Sequence, residues 1–263
     1  MKFQLKNFLV ATAIAFTMFS CSNDDDSINE INGEGILKLE FDQIYKDADF
    51  SANTPYINSN GEVLIINKAK FIISNIVLTK EDGSNYTVPK SESYFIVDEF
   101  TPTSNLIQLS NIPAGNYIKI SYGIGVDQDQ FNLGATGQGN FLTEAQTAGM
   151  MWSWSAGFKF IAFEGTFTSS SITTASNFRV HTGQTGTDYN YKTVTLDFPD
   201  TALVRKTITP QVHIFSDFSK ILDGTNKLAL SDATGGDIMG GSKLALITEN
   251  LSTMFSVNHI HND

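Results

Sequence analysis

An all-β, two-sheet β-sandwich with one or two short helices is the fold this 263-residue sequence predicts, and three observations predict it. Apolar and polar residues alternate with period two over many short stretches, as they do when one face of a strand is buried and the other is wet. The runs between turn signals are rich in Val, Ile, Thr, Phe and Tyr, which pack well on a pleated surface. Helical spacing is scarce, and many strands with few helices favour two packed sheets. With 41% hydrophobic residues and 20 Phe, the chain can fill a sizeable core.

Residues 1–20 read as a signal peptide. Lys2 and Lys6 precede an uncharged run from Phe8 to Phe19, too short for a membrane span. The run ends Met18-Phe19-Ser20-Cys21, and a small residue directly before Cys resembles the bacterial lipobox, in which the Cys is lipidated and becomes the new N-terminus. Cys21 is therefore the expected anchor to the membrane. Each buried CH₂ contributes about 0.8 kcal/mol, and a single acyl chain holds only marginally, so several chains are needed. Residues 21–34 form an acidic tether, and Ser22-Asn23-Asp24-Asp25-Asp26-Ser27 resembles the Ser/Asp-rich segment of many Bacteroidetes surface lipoproteins. The expected location is the cell envelope, as an outer-membrane lipoprotein facing the periplasm or the surface. The net charge of −11 argues against nucleic acid as a partner. As Cys21 is the one cysteine, an internal disulfide and a cysteine-built zinc or iron–sulfur site are excluded by counting.

Residues 35–263 form one body without internal repeats or linkers. Leu37, Leu39 and Phe41 alternate with Lys38, Glu40 and Asp42. VLIINKAKFIISNIVLTK follows, and Asp82-Gly83 after it signals a hairpin. SYFIVDEF is the next strand, and Pro113-Ala114-Gly115-Asn116 is a turn before the alternation of Ile118, Ile120, Tyr122, Ile124 and Val126. Thr143 to Ala148 suits a short helix. GFKFIAFEGTF, KTVTLDF and KTITPQVHIF are further strands, and Leu244, Ile247, Thr248, Leu251 and Phe255 fall at helical spacing.

The chain lacks a GxSxG elbow, a P-loop, Rossmann glycines and an HExxH motif, so a binding protein is expected rather than an enzyme. Asp127-Gln128-Asp129-Gln130 could lend carboxylates to a calcium ion, but no twelve-residue loop with a central Gly and a terminal Glu follows, and a polar loop is the preferred reading. Met150-Met151-Trp152-Ser153-Trp154 contains both tryptophans; in an extended strand Met150, Trp152 and Trp154 would share one face, as core or as a site. A metal has to use nitrogen, oxygen or thioether donors. The imidazoles are His181, His213, His259 and His261. His213 sits in the apolar QVHIF, where a core or edge histidine is the plainer reading. His259 and His261 would share one face of an extended segment, close enough to chelate, or form a solvated tail.

MMWSWSAGFKFIAFEG, with NKAKFIISNIVLTKEDG and IPAGNYIKISYGIGVD upstream and FRVHTG downstream, resembles the MbnP family. These are exported copper-binding proteins related to MopE and CorA of methane-oxidising bacteria and found widely as Bacteroidetes lipoproteins. The resemblance runs from Gly35 to the C-terminus, and W-x-W-x-x-G-[FY] is its most specific part. It implies a β-sandwich, one copper ion held mainly by histidine, and a Trp oxidised to kynurenine by a partner diheme peroxidase of the MbnH type. An intact indole donates only N–H, whereas kynurenine offers an aniline nitrogen and a ketone. Trp152 occupies the first Trp position and is the expected modified residue; His181 in FRVHTG is the first choice of ligand. Where the family has a His two residues after the modified Trp, this chain has Trp154. The missing imidazole leaves a weaker or absent copper site, or a donor supplied by Met150, Met151 or a distant His. Two other readings stay open. One is a surface sandwich for adhesion or glycan binding, with Trp152 and Trp154 as a stacking platform; the other is a redox substrate of the peroxidase.

Overall fold

The computed structural model describes residues 31–263, so the expected signal peptide, Cys21 and most of the tether lie outside the described residues. The chain runs through β1 (Glu34–Tyr45), β2 (Ala48–Asp49), β3 (Pro55–Ile57), β4 (Val63–Lys80), β5 (Asn85–Thr87), β6 (Phe95–Asp98), β7 (Leu106–Pro113) and β8 (Gly115–Ile124). Helices α1 (Gln128–Asn132), α2 (Gly134–Gly137) and α3 (Asn140–Thr147) follow, then β9 (Lys159–Thr168), β10 (Ser176–Thr185), β11 (Asp188–Tyr189), β12 (Lys192–Val204) and β13 (Pro210–Asp217). The last part holds α4 (Lys220–Asp223), β14 (Asp237–Ile238), α5 (Gly241–Asn250) and β15 (Phe255–Asn262).

The strands form two sheets. The smaller has the order β15-β13-β1-β2, with β7 also on β1; the larger has β11-β10-β9-β4-β8-β12, with β3, β5 and β6 on β4 and β14 on β10. This is the all-β sandwich the alternation predicts. Along β1, Leu37, Leu39 and Phe41 are buried while Lys38, Glu40 and Asp42 are half-exposed, because successive side chains leave a strand on opposite faces. Between the sheets Phe71 meets the edges of Phe41 at 5.6 Å and Phe255 at 5.2 Å. Such aromatic pairs add about 0.5–1.5 kcal/mol beyond the area they bury. Pro113 and Gly115 make a corner: β7 before it belongs to the small sheet and β8 after it to the large one.

The large sheet is covered on its outer face as well. There Ile72, Val126, Phe158, Phe160 and Ala162 pack with Phe141 and Ala145 of α3 and with Met150 and Met151, apart from the main core. Phe160 to Phe163 of β9 is accordingly buried without a break, since both faces are covered.

Two expectations are corrected here. The segment from Met150 to Phe158 is not an extended strand with Met150, Trp152 and Trp154 on one face. It folds back in a tight turn, bridged at Met151 and Phe158 and closed by the Trp152 N–H donating to the Gly157 carbonyl at 3.2 Å; Gly157 supplies the positive φ of 80° that the turn requires. The late helical spacing is interrupted: α5 ends at Asn250, and Phe255 opens β15, where burial in the core outweighs the period read from sequence. The α-helices number five among the described residues, since α1, α2 and α4 are single turns without an apolar period.

Candidate metal centre

Three strands of the small sheet build the site. β1 runs parallel to β13, which sets Glu40 opposite His213, and β13 pairs antiparallel with β15, which sets His213 opposite His259 and Gln211 opposite His261. The register shifts by one residue at Asn258, between the pairs Ile214–Val257 and His213–His259. Before this bulge Val257 stands opposite buried Ile214; after it Ile260 stands opposite buried Val212. The extra residue puts His259 and His261 on the outward face beside Glu40, Asp42 and His213.

The side chains meet closely. His213 and His259 stack at 4.1 Å with their planes 16° apart, and His261 stands edge-on to both. One ring nitrogen from each of the three lies within 4.8 Å of the others, and His259 Nε2 is 3.1 Å from His261 Nε2. On the other side His213 Nδ1 lies 3.2 Å from Glu40 Oε2 and 3.3 Å from Asp42 Oδ2, while the Gln211 amide donates to the Glu40 carboxylate. Burial and the neighbouring His213 and His261 hold the imidazolium form of His259 back, so its pKa falls below the ordinary histidine value. A neutral imidazole is what a metal needs. Three imidazoles flanked by two carboxylates suit a first-row divalent metal such as zinc, copper, iron or nickel, and none of the five side chains carries sulfur.

The remaining candidates stand elsewhere. His181, on β10 of the large sheet, is 3% exposed, and its Nε2 is 2.8 Å from Glu164 Oε1, which also accepts from Lys68 Nζ. Burial lowers its pKa against the pull of Glu164, so the ring is neutral with Nε2–H as donor; Nδ1 has no partner among the described residues. The Trp152 ring lies 5.9 Å from the His181 ring and presses on Gly183, where an added Cβ would stand 2.9 Å from the indole. Trp154 instead stacks on Phe131 at 4.9 Å, and Met150 is buried in the outer core beside α3. The structure thus gathers His213, His259 and His261, leaves His181 with Trp152, and separates Trp154 and Met150 from both. Glu40, Asp42 and Gln211 were not expected in a site. The signal of the two acids was the polar half of the β1 alternation, which becomes informative only once the β1–β13 register is known.

Asp127 is saturated by the protein. Its carboxylate accepts from Lys90 Nζ at 2.8 Å, Tyr94 Oη at 2.6 Å, Asn75 Nδ2 at 2.9 Å and the Gln130 N–H at 3.0 Å, capping α1. A lysine and three further donors occupy the oxygens a calcium ion would need.

A family model described as MbnP matches residues 34–240, which include His181 and His213 and stop before β15. Among solved structures, MbnP from Methylosinus trichosporium aligns at 12% identity over 80% of this chain and 82% of its own, with a TM-score of 0.47. No curated protein matches.

Proposed function

Because this chain belongs to the MbnP family, we propose that it is an exported, lipid-anchored copper-binding protein whose copper rests on His213, His259 and His261. The observation that carries this reading is the meeting of three ring nitrogens within 4.8 Å on one face of the small sheet. Copper finds imidazole donors there, and the protein needs no catalytic group to hold it. Residues 1–20 direct export and Cys21 takes the lipid. Trp152 is the residue we assign to oxidation by a diheme peroxidase partner; its indole lies against His181, whose Nδ1 has no other partner among the described residues.

The glycan-binding alternative needs two indoles on one open platform. Trp154 stacks on Phe131 while Trp152 packs on Gly183 and beside His181, and these separate partners favour the metal reading.

Metal analysis of the full chain, purified in detergent from its native membrane, tests the reading. About one copper per chain is expected in the natural protein, falling well below half in the His259→Ala/His261→Ala variant. Peptide mass spectrometry of the same material should find a gain of about 4 Da at Trp152. Copper retained at full stoichiometry in the double variant would place the metal elsewhere.

A further inference from the structure

We infer that the imidazole trio is built for divalent copper, with Glu40 and Asp42 acting through His213 Nδ1 as positioning residues. This rests on the reading of His213, His259 and His261 as the copper site. Each part of the argument comes from the donor set. His213 Nδ1 hydrogen-bonds Asp42 Oδ2 at 3.3 Å and lies 3.2 Å from Glu40 Oε2, while the opposite nitrogen, Nε2, lies 3.2 Å from the Gln211 amide nitrogen, which a metal reaching Nε2 would displace. A carboxylate on the far nitrogen of a ligating imidazole fixes the ring and makes the other nitrogen more basic. Here Asp42 holds the nitrogen, and Glu40, which accepts from Gln211, adds its charge beside it.

That arrangement discriminates by charge. Two carboxylates beside neutral imidazoles balance a 2+ ion and attract it twice as strongly as a 1+ ion at the same distance. Cu(I) is satisfied by few, soft donors such as thioether and thiolate, whereas Cu(II) prefers four or more nitrogen and oxygen donors. The cluster offers nitrogen and oxygen only. Met150 and Met151, the thioethers nearest the tryptophan motif, are buried in the outer core of the other sheet. The side chain of Glu40 is 32% exposed and that of Asp42 39%, so water can complete the ligand set from the solvent side. Among the divalent ions, imidazole sites follow the order in which copper binds above zinc and nickel.

The test compares two oxidation states on one protein. The full chain in detergent is titrated with Cu(II) in air and with Cu(I) without oxygen, each against a chelator of known affinity for that state, and the Cu(II) form is examined by electron paramagnetic resonance. The natural chain should give a Cu(II) spectrum with hyperfine splitting from imidazole nitrogens. Glu40→Gln/Asp42→Asn should lose about tenfold or more in Cu(II) affinity, the scale seen when partners of a metal-bound imidazole are removed, and change Cu(I) affinity by less than about threefold. The potential of the bound couple rises accordingly. Equal losses for both states, or no loss for Cu(II), would overturn the inference while leaving a copper site in place. No copper of either state on the natural chain, or full binding by His259→Ala/His261→Ala, would overturn the site itself.

Discussion

Replacing Asp127 by Asn removes one negative charge from the most heavily hydrogen-bonded carboxylate of the loop after β8. Burial alone would raise its pKa, but Lys90, Tyr94, Asn75 and the Gln130 amide hold it at about 2, against an ordinary 3.8. The side chain is 15% exposed, so solvent screening discounts little of this. The fall from 3.8 to about 2 corresponds to about 2.5 kcal/mol of stability. Because the folded value is depressed, that stabilisation is fully present above the ordinary value and is lost as pH falls from about 4 to about 2. Asp127→Asn keeps one acceptor oxygen but turns an amide toward donors, so at pH 7 it should cost about 2–3 kcal/mol. In a body of this size that lowers Tm by about 5–10 °C. Urea unfolding followed by Trp fluorescence at pH 7, 5 and 3 measures both proteins. The gap between them should be constant from pH 7 to 5 and shrink at pH 3. A gap that does not narrow in acid would show that the ionised carboxylate is not the source of the stabilisation.

Two further outcomes follow from the same geometry. Burial and the adjacent Asp98 push Glu99 up to about 7, so its contribution is whole below about pH 4.5 and drains away as pH rises toward 7; Glu99→Gln should be more stable than the natural chain by about 1–2 kcal/mol at pH 8, after allowance for its partial exposure, and equal to it at pH 4, as read from urea midpoints. A Cβ at Gly183 would stand 2.5 Å from the Phe158 carbonyl oxygen and 2.9 Å from the Trp152 ring, so Gly183→Ala should cost about 1–3 kcal/mol and shift Trp152 fluorescence; an unchanged spectrum would mean that the indole does not depend on that contact.

The strands were legible because a period of two is written residue by residue: Leu37, Leu39 and Phe41 announce an inward face without any knowledge of partners. The same holds for the Asp82-Gly83 turn, where Gly83 takes a φ of 82° between β4 and β5. Pairing is a different matter. That β1 lies parallel to β13, and that β15 covers the other side of β13, depends on which surfaces fit between two sheets, and no local pattern encodes it. The chelating spacing of His259 and His261 could be read from alternation, but Glu40 and Asp42 looked like any wet half of a strand until His213 stood beside them. The Met150 to Phe158 turn was hidden for a local reason. Trp152, Trp154 and Phe158 favour a strand by type, while the Ser153 carbonyl accepting from the Ala156 and Gly157 amides, with Gly157 at positive φ, reverses the chain.

The small sheet joins β1, near the start of the described chain, to β15 at its end, through β13. A nascent chain that has emerged only as far as β13 holds Glu40, Asp42 and His213 but lacks both histidines of the closing strand. The three-imidazole cluster is thereby tied to the docking of β15: a molecule clipped before that strand retains the acids and one imidazole and loses the other two.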